Sequence, residues 1–519
     1  MESGPDGVRC RLTSVRDPDV IVVGSGPNGL VAANIMSRRG FRVLVLEANQ
    51  RRPGGALGSE ELTLPGFVHD VGAAFFPFAN SSPAFRELDL TRAGVKWLHL
   101  PFESCHPALD GSYACIARDA DLAAAHFGTL RDGEVWRKLA ASHARMEPEL
   151  LRLLLGPFPT FAPALKLGLG NLGKILWRFA RSGANLSRSL FHSEAARRVL
   201  PSFGLHVDVA PEDWFGSGLS YMVGMTASTG GYAVPAGGAQ SITNALVTLL
   251  ESCGGRLRLA ARVTKIVVAD GRAAAVQLEN GEELRARLAV IADTAAPTLY
   301  LKLLDRAHVP NWLLRRMRHF RQGFGTFKVD FALSSAVPWS NEQARQSSVV
   351  QVSESLADLS RFAREVRTGK IPEVPYLVVG QQSLADPFRA PGAQHTLYCY
   401  THVPTITEGG WANQSEAFAD RISERLEGLA PGFCERVLGR HVSAPPDFEA
   451  ANPNLIDGDL GGGGNAWYQQ LLFRPVFPYF RYRTPITGLY LCSSYTHPGA
   501  GVHGMCGYNA AEAAARDLS

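Results

Sequence analysis

Residues 19–47 constrain this chain more than any other stretch. An apolar run, Val20-Ile21-Val22-Val23, ends in Gly24-Ser25-Gly26-Pro27-Asn28-Gly29, three glycines at G-x-G-x-x-G spacing. A small-residue helical pattern, Val31-Ala32-Ala33-Asn34-Ile35-Met36, follows. A second apolar run, Phe41-Arg42-Val43-Leu44-Val45-Leu46, then ends in Glu47. Each part has a mechanical reason. Gly24 allows a tight strand-to-helix turn, Gly26 lets a pyrophosphate approach the backbone, and Gly29 lets the helix lie close on its sheet. The helix start offers free N–H groups and the positive end of a dipole. Glu47 stands where an acid accepts both ribose hydroxyls of an adenosine, and its charge repels a 2′-phosphate, which disfavours NADP. A glycine turn in some other α/β domain would not need the second strand and its terminal acid.

At 519 residues the chain is too long for one core, so two or three domains are expected. With 46% hydrophobic and 19% charged residues it reads as an ordinary folded protein. A net charge of +4 is small for this length, and no nucleic-acid motif is present, so no nucleic-acid partner is expected. The eight cysteines form no C-x-x-C pair. That argues against thiol–disulfide chemistry, a disulfide framework and a zinc site, so no metal is expected and a reducing, cytoplasmic compartment is the default. Met1 to Asp17 has no apolar core and is not read as a secretory signal. Arg9, Arg11 and Arg16 leave the mitochondrial matrix open, with Glu2 and Asp6 against it. The uncharged stretch from Trp214 to Leu250 is rich in Gly, Ser and Thr and broken by Pro235, which is not the pattern of a membrane span.

Past Glu47 and Ala48, the Gly54-Gly55 pair suits a second close approach of backbone to a dinucleotide. Pro65-Gly66-Phe67-Val68-His69-Asp70-Val71-Gly72-Ala73-Ala74 predicts a turn leading into a strand of small residues, against which something flat can lie. From Ser81 to about Pro235 helical patterns dominate. Between Leu150 and Arg198 leucines alternate with charges that are nearly all basic, Arg152, Lys166, Lys174, Arg178, Arg181, Arg188, Arg197 and Arg198 among them. Basic and apolar together fit a membrane-surface contact or the lid of a lipophilic tunnel. The breaks at Pro159, Pro163 and several glycines favour a helical cap with a solvated basic face. A helix over 241–253 precedes short strands split by Asp270-Gly271 and Asn280-Gly281, a β-meander with hairpin turns. In 323–333, alternation places Lys328 and Asp330 on one face and Phe327, Val329 and Phe331 on the other. At the C-terminus a strand ending at Cys492-Ser493-Ser494 meets the glycine-rich Tyr495–Gly507 loop and a strongly helical tail. This second strand–glycine loop–helix unit implies that the two ends of the chain meet around one long ligand.

Three motifs carry a family resemblance: Gly24-Ser25-Gly26-Pro27-Asn28-Gly29-Leu30, Pro65-Gly66-Phe67-Val68-His69-Asp70-Val71-Gly72-Ala73, and Leu489-Tyr490-Leu491-Cys492-Ser493-Ser494 through Gly504. Together they resemble the FAD-dependent amine oxidase and phytoene desaturase superfamily. The nearer likeness is to its phytoene desaturase-like branch, which includes carotenoid desaturases and the pyridine nucleotide-disulphide oxidoreductase domain-containing protein 2 group. The resemblance implies an α/β fold: a discontinuous, glutathione-reductase-type, Rossmann-like FAD domain with a mixed α+β substrate domain and a helical cap. The FAD domain would take residues 18–80, 235–296 and 455–519, and the substrate domain 81–234 and 297–454. Beside the six-residue fingerprint Gly24, Ser25, Gly26, Pro27, Asn28 and Gly29, it implies that Glu47 and Ala48 hold the adenosine ribose and Arg52 the phosphate region. Gly54, Gly55 and Ala56 would approach the pyrophosphate and ribityl chain. Gly72, Ala73 and Ala74 would line the isoalloxazine, and Val263 would meet adenine through its backbone. Ser494, Gly501, Val502 and His503 would sit at the flavin end. Amine oxidases often carry Arg after the Gly-Gly pair; Ala56 here leans toward the desaturase-like branch.

Two activities and one non-catalytic role follow. The first is an FAD-dependent dehydrogenase acting on a lipophilic, polyene-like small molecule. The second is an amine or amino-acid oxidase in which Lys328 positions a water near the flavin for O2 chemistry, set against a partly exposed strand lysine. The third is a flavin-binding scaffold with little turnover. His497 and His503 flank the C-terminal glycines and are acid/base candidates, although loop hydrogen bonding suits them better. Cys492 and Cys506 suit small apolar packing better than flavin attachment. Peripheral membrane contact is kept as a partner expectation, and the oligomeric state stays open.

Overall fold

The computed structural model describes residues 17–78 and 81–519, so the arginines and acids of the leader reading lie outside the described residues. Five parallel strands form one sheet in the order Leu489–Leu491, Ala289–Ala292, Val20–Val23, Val43–Leu46, Arg256–Arg258. Its three middle strands are buried throughout, as the uninterrupted apolar runs require of a sheet covered on both faces. On one side the helix Pro27–Arg38 packs between Gln240–Ser252 and Met505–Leu518. On the other lies the expected antiparallel meander, Val263–Ala269, Arg272–Leu278 and Glu283–Arg285, with its hairpin turns at the two expected Asx-Gly pairs. The fold class read from the sequence is therefore observed. First, middle and last parts of the chain share one sheet.

A second sheet has seven strands in the order Val437–Ser443, Gly325–Leu333, His395–Val403, Leu377–Gly380, Ser347–Val352, Phe102–Pro107, Tyr113–Ile116. Only the Ser347–Val352 and Phe102–Pro107 pair is parallel. Helices do dominate 81–235, as expected, but two strands of that section, which the sequence reading did not pick out, complete this sheet. Phe102–Pro107 is buried at all six positions, so it shows no alternation to read. Register places Lys328 opposite Tyr400, Asp330 opposite Tyr398 and Thr326 opposite His402. Directly opposed residues share a face, so these six point the same way. The other face holds Phe327 and Phe331, whose rings meet Trp411, Phe418 and Phe433 of the outer layer.

Cap helices pack against this sheet: Gly216–Thr229 meets the Phe102–Pro107 strand, Val199–Leu205 packs on that helix and is followed by His206, which is bonded to Tyr400 of the first face, and Leu130–Leu155 also packs on Gly216–Thr229. Gly216–Thr229 supplies much of the uncharged 214–250 stretch and is buried within the protein. No helix among the described residues is long and apolar enough to cross a membrane. A further correction concerns 68–76, where the strand is confined to Val68–Asp70 and Gly72, Ala73 and Ala74 follow it as irregular chain.

Candidate active site

The turn after Val20–Val23 has no room for side chains. Gly24 holds φ +96°, and a Cβ on Gly29 would lie 2.3 Å from the Gly24 carbonyl oxygen. The helix opens with Pro27 in its first turn, and neither Gly26 nor Asn28 N–H finds a partner among the described residues. Those donors fit an anionic pyrophosphate. Glu47 is nearly buried, at 9% exposure. Its Oε2 accepts from the Ser25 N–H at 3.0 Å and the Ser25 hydroxyl at 2.5 Å, and Oε1 accepts from Asn49 N–H at 2.7 Å. The acid is thereby fixed beside the glycine turn, while Ala48 is exposed next to it. Gly54 N–H donates to Ser25 O at 3.1 Å, which seats the second glycine turn against the first. Ala73 N–H donates to Ala56 O at 2.9 Å and draws the 72–74 segment to the same place. Val263 begins a strand two residues beyond Ala261, whose N–H is bonded to the Glu47 carbonyl.

Both ends of the chain meet here. A Cβ on Gly507 would stand 1.9 Å from the Asn28 carbonyl oxygen, so the two helix starts touch. Ser494 O accepts two bonds from Arg474, at 2.8 and 3.0 Å; Gly501 is exposed at φ +115°, and Val502 is half-buried beside it. These features fit a long dinucleotide laid from Glu47 past Gly26 and Gly54 towards Gly501.

Several expected roles look different in place. Arg52 is engaged within the protein, donating to Glu60 at 2.6 Å and to Gly55 O at 3.1 Å, so it braces the second glycine turn. His503 Nδ1 accepts from Met505 N–H at 3.0 Å at the start of the C-terminal helix, while its ring stands edge-on to Phe78. His497 packs against Phe158 of the cap. Burial pushes both rings down to about 4, so both are neutral. Cys506 donates to the Thr496 and Gly499 carbonyls, and burial pushes its thiol up to about 11. Lys328 is fully buried, which removes the partly exposed alternative. Its ammonium is paired with Asp330 and lies 4.5 Å from the centre of the Tyr398 ring, and Asp330 faces His69 Nδ1 at 3.4 Å.

The sequence reading missed three elements. Asp293 ends the Ala289–Ala292 run as Glu47 ends its own, and its carboxylate accepts Gly29 N–H at 2.9 Å. Burial, with the Glu47 charge added, pushes Asp293 up to about 7 against that bond. An apolar run ending in an acid was the available signal. Asp459 gathers the N–H groups of Gly323, Gly461 and Gly463 at 2.7 Å each, folding a four-glycine run that packs on Ser494. Arg474, fully buried, closes that run through the Gly462 carbonyl at 2.9 Å.

The third is an aromatic chamber beside the 72–74 segment. Tyr398 donates to Gly72 O at 2.6 Å, so the Lys328 face of the large sheet looks onto that segment. Phe75 sits with Tyr398, His206, Tyr400 and Tyr232 at ring distances of 5.4, 5.5, 6.1 and 6.3 Å. Phe203 stacks on Tyr232, and Tyr400 Oη and His206 Nδ1 are hydrogen-bonded at 2.6 Å. Phe75 and His206 are only partly buried although rings surround them.

Comparison with known proteins bears on this arrangement. The family model for flavin containing amine oxidoreductases matches residues 28–519. The mouse pyridine nucleotide-disulfide oxidoreductase domain-containing protein 2 is 28% identical, over 96% of this chain and 94% of its own length. A neurosporene-forming phytoene desaturase of Cereibacter sphaeroides is 25% identical, over 96% of this chain and 94% of its own. Among solved structures, an oxidoreductase from Methanosarcina mazei shares the fold with a TM-score of 0.62 at 17% identity, covering 94% of this chain and 97% of that one.

Proposed function

We propose that this chain, which belongs to the flavin containing amine oxidoreductase family and is an FAD-dependent oxidoreductase, acts as a desaturase-like dehydrogenase on a lipophilic, unsaturated small molecule. The single observation that carries the substrate class is the aromatic chamber built around Phe75 against the Gly72–Ala74 segment. Bound FAD would supply the hydride acceptor. The chain's own contribution is to hold the dinucleotide with Gly24–Gly29, Glu47 and Gly54, to offer 72–74 to its ring system and the aromatic walls to the substrate, and to keep water from both. The phytoene desaturase relative supports the same class of substrate. The amine oxidase alternative keeps Lys328, whose ammonium is paired with Asp330 and retains further N–H donors, but the aromatic lining around Phe75 supports the first reading more directly. We also propose the five-segment division given above, since the strands of the seven-stranded sheet all fall within 81–234 and 297–454.

The cap favours a peripheral membrane contact over the solvated basic face expected from sequence. On the helix Ala162–Phe179 and its lead-in, Phe161, Leu165, Leu169 and Leu176 are 72, 81, 89 and 67% exposed. Lys166 and Lys174 are exposed beside them. An apolar strip flanked by lysines suits the interface of an anionic bilayer, and a lipophilic substrate would reach the protein from there. We place the protein in the cytoplasm. Cys105 and Cys115 face each other across two strands, buried and free, which suits a reducing compartment.

Incubation with lipophilic alkenes and an artificial electron acceptor tests the activity. The expected product is lighter by two hydrogens, with the acceptor reduced in equal amount. Acceptor reduction by amines alone would reverse the order of the two readings.

A further inference from the structure

At one corner of the chamber the wall is unfinished. Some of its polar groups are matched: Tyr376 Oη lies within hydrogen-bond distance of Ser202 O and Gln351 Oε1, and Tyr400 meets His206, whereas Tyr232 Oη has no partner among the described residues. Next along the same strand face, the His402 ring stands 5.5 Å from Tyr400 and 5.7 Å from Phe324. His402 is 5% exposed, and neither of its ring nitrogens reaches hydrogen-bond geometry with a partner among the described residues, although the Leu205 and Gly325 backbone stands close to the ring. Its Nδ1 faces Asp208 Oδ1 at 3.3 Å without hydrogen-bond geometry, and that oxygen has no other partner among the described residues. The Asp208 side chain is 7% exposed and is presented from a left-handed backbone position at φ +60°. Two buried side chains with open polar atoms, on the wall of an aromatic chamber, are costly to leave dry.

Burial works against charge at this corner. Burial and the neighbouring Asp459 charge hold the Asp208 carboxyl well above its usual range, and burial pushes the His402 ring down to about 3. Asp459 is already taken up by the glycine run, and Arg474 by backbone carbonyls. A carboxyl and an imidazole together offer donor and acceptor positions to an uncharged partner. They do not compensate a buried ammonium, and a bare hydrocarbon would leave them unmatched.

We propose that Asp208 and His402 form a recognition subsite for an uncharged hydrogen-bonding head group, a hydroxyl or a carbonyl, at one end of the lipophilic substrate. This rests on the reading of the chamber as a lipophilic substrate site, and it narrows that class to molecules with one polar end. Head-group capture at this corner fixes which carbons of the chain reach the flavin end of the site, so it also sets the position of attack.

The test is calorimetric binding of a chain-matched pair, farnesol and farnesene, to the FAD-loaded protein. The alcohol is expected to bind about tenfold more tightly, the upper range for one good buried hydrogen bond. His402→Phe should bring the two ligands to near equality, and His402→Gln should keep part of the preference. Equal affinity of the wild-type protein for both ligands overturns the subsite and spares the lipophilic reading; so does a preference that survives His402→Phe. Failure of both ligands to bind a protein carrying its flavin overturns the lipophilic reading and the subsite with it. The wild-type ratio decides the matter even if the variants do not fold.

Discussion

Lys328 shows how one residue type supports two readings until its surroundings are known. Alternation placed it correctly on one face with Asp330, because that inference needs only the two-residue period of a strand. Its full burial and its engagement with Asp330 depend on the cap, which no local pattern reports. Lys328→Met leaves Asp330 as an uncompensated buried charge and should cost roughly 3–5 kcal/mol. Urea unfolding of that variant measures it, and Lys328→Met combined with Asp330→Leu should recover most of the loss. An unchanged midpoint in the single variant would contradict the ion pair. The buried histidines make a second claim at this scale. His106 and His402 are held down to about 3, and His206, His497 and His503 to about 4, all by burial. Folded values below the unfolded one near 6.5 mean that their contribution is fully present above about pH 6.5 and is lost as pH falls towards 4. Asp293 runs the other way: raised to about 7, it contributes below its unfolded carboxylate range and loses that contribution as pH rises through 7. The urea midpoint of the cofactor-free protein should therefore fall steeply from pH 6.5 to 4.5. A flat profile over that window would mean the rings are not buried neutral.

Among elements, those legible from sequence were the ones written locally. The first strand–turn–helix unit, the meander with its Asx-Gly turns and the C-terminal glycine loop each carry their signal within about thirty residues. Phe102–Pro107 and Tyr113–Ile116 do not: their Glu, Ser, Cys and His residues are buried on both faces, and burial on both faces erases alternation. Asp208 and His402 come from the two separate segments of the substrate section and meet only in the folded chain, so no spacing rule finds them. The meeting of the two helix starts was expected from the sequence, and it can be broken. Gly507→Ala puts a methyl group 1.9 Å from the Asn28 carbonyl oxygen, and the helices must separate. Flavin retention through gel filtration should be lost in that variant and kept in Gly173→Ala, where the added methyl meets open space. Equal retention in both would show that the close approach of the helices does not shape the cleft.

For the molecule as a whole, three proposed features belong together: a cofactor cleft closed by both chain ends, an aromatic chamber between sheet and cap, and an apolar strip on the outside of that cap. A lipophilic substrate partitions into a bilayer, and a protein that docks there collects it without passage through water. Sedimentation with phosphatidylcholine vesicles containing phosphatidylglycerol should carry the protein down, more weakly at high salt. Leu165→Glu with Leu169→Glu should abolish the association with no change in flavin content. Association that persists in that variant would assign the membrane contact to another surface. The most direct measurement is an anaerobic visible titration of the FAD-loaded protein with lipophilic unsaturated compounds and, separately, with amines. A fixed site for FAD beside a neutral aromatic chamber calls for loss of the oxidised flavin band with the lipophilic donors and none with amines. Bleaching by amines and indifference to every lipophilic donor would contradict it.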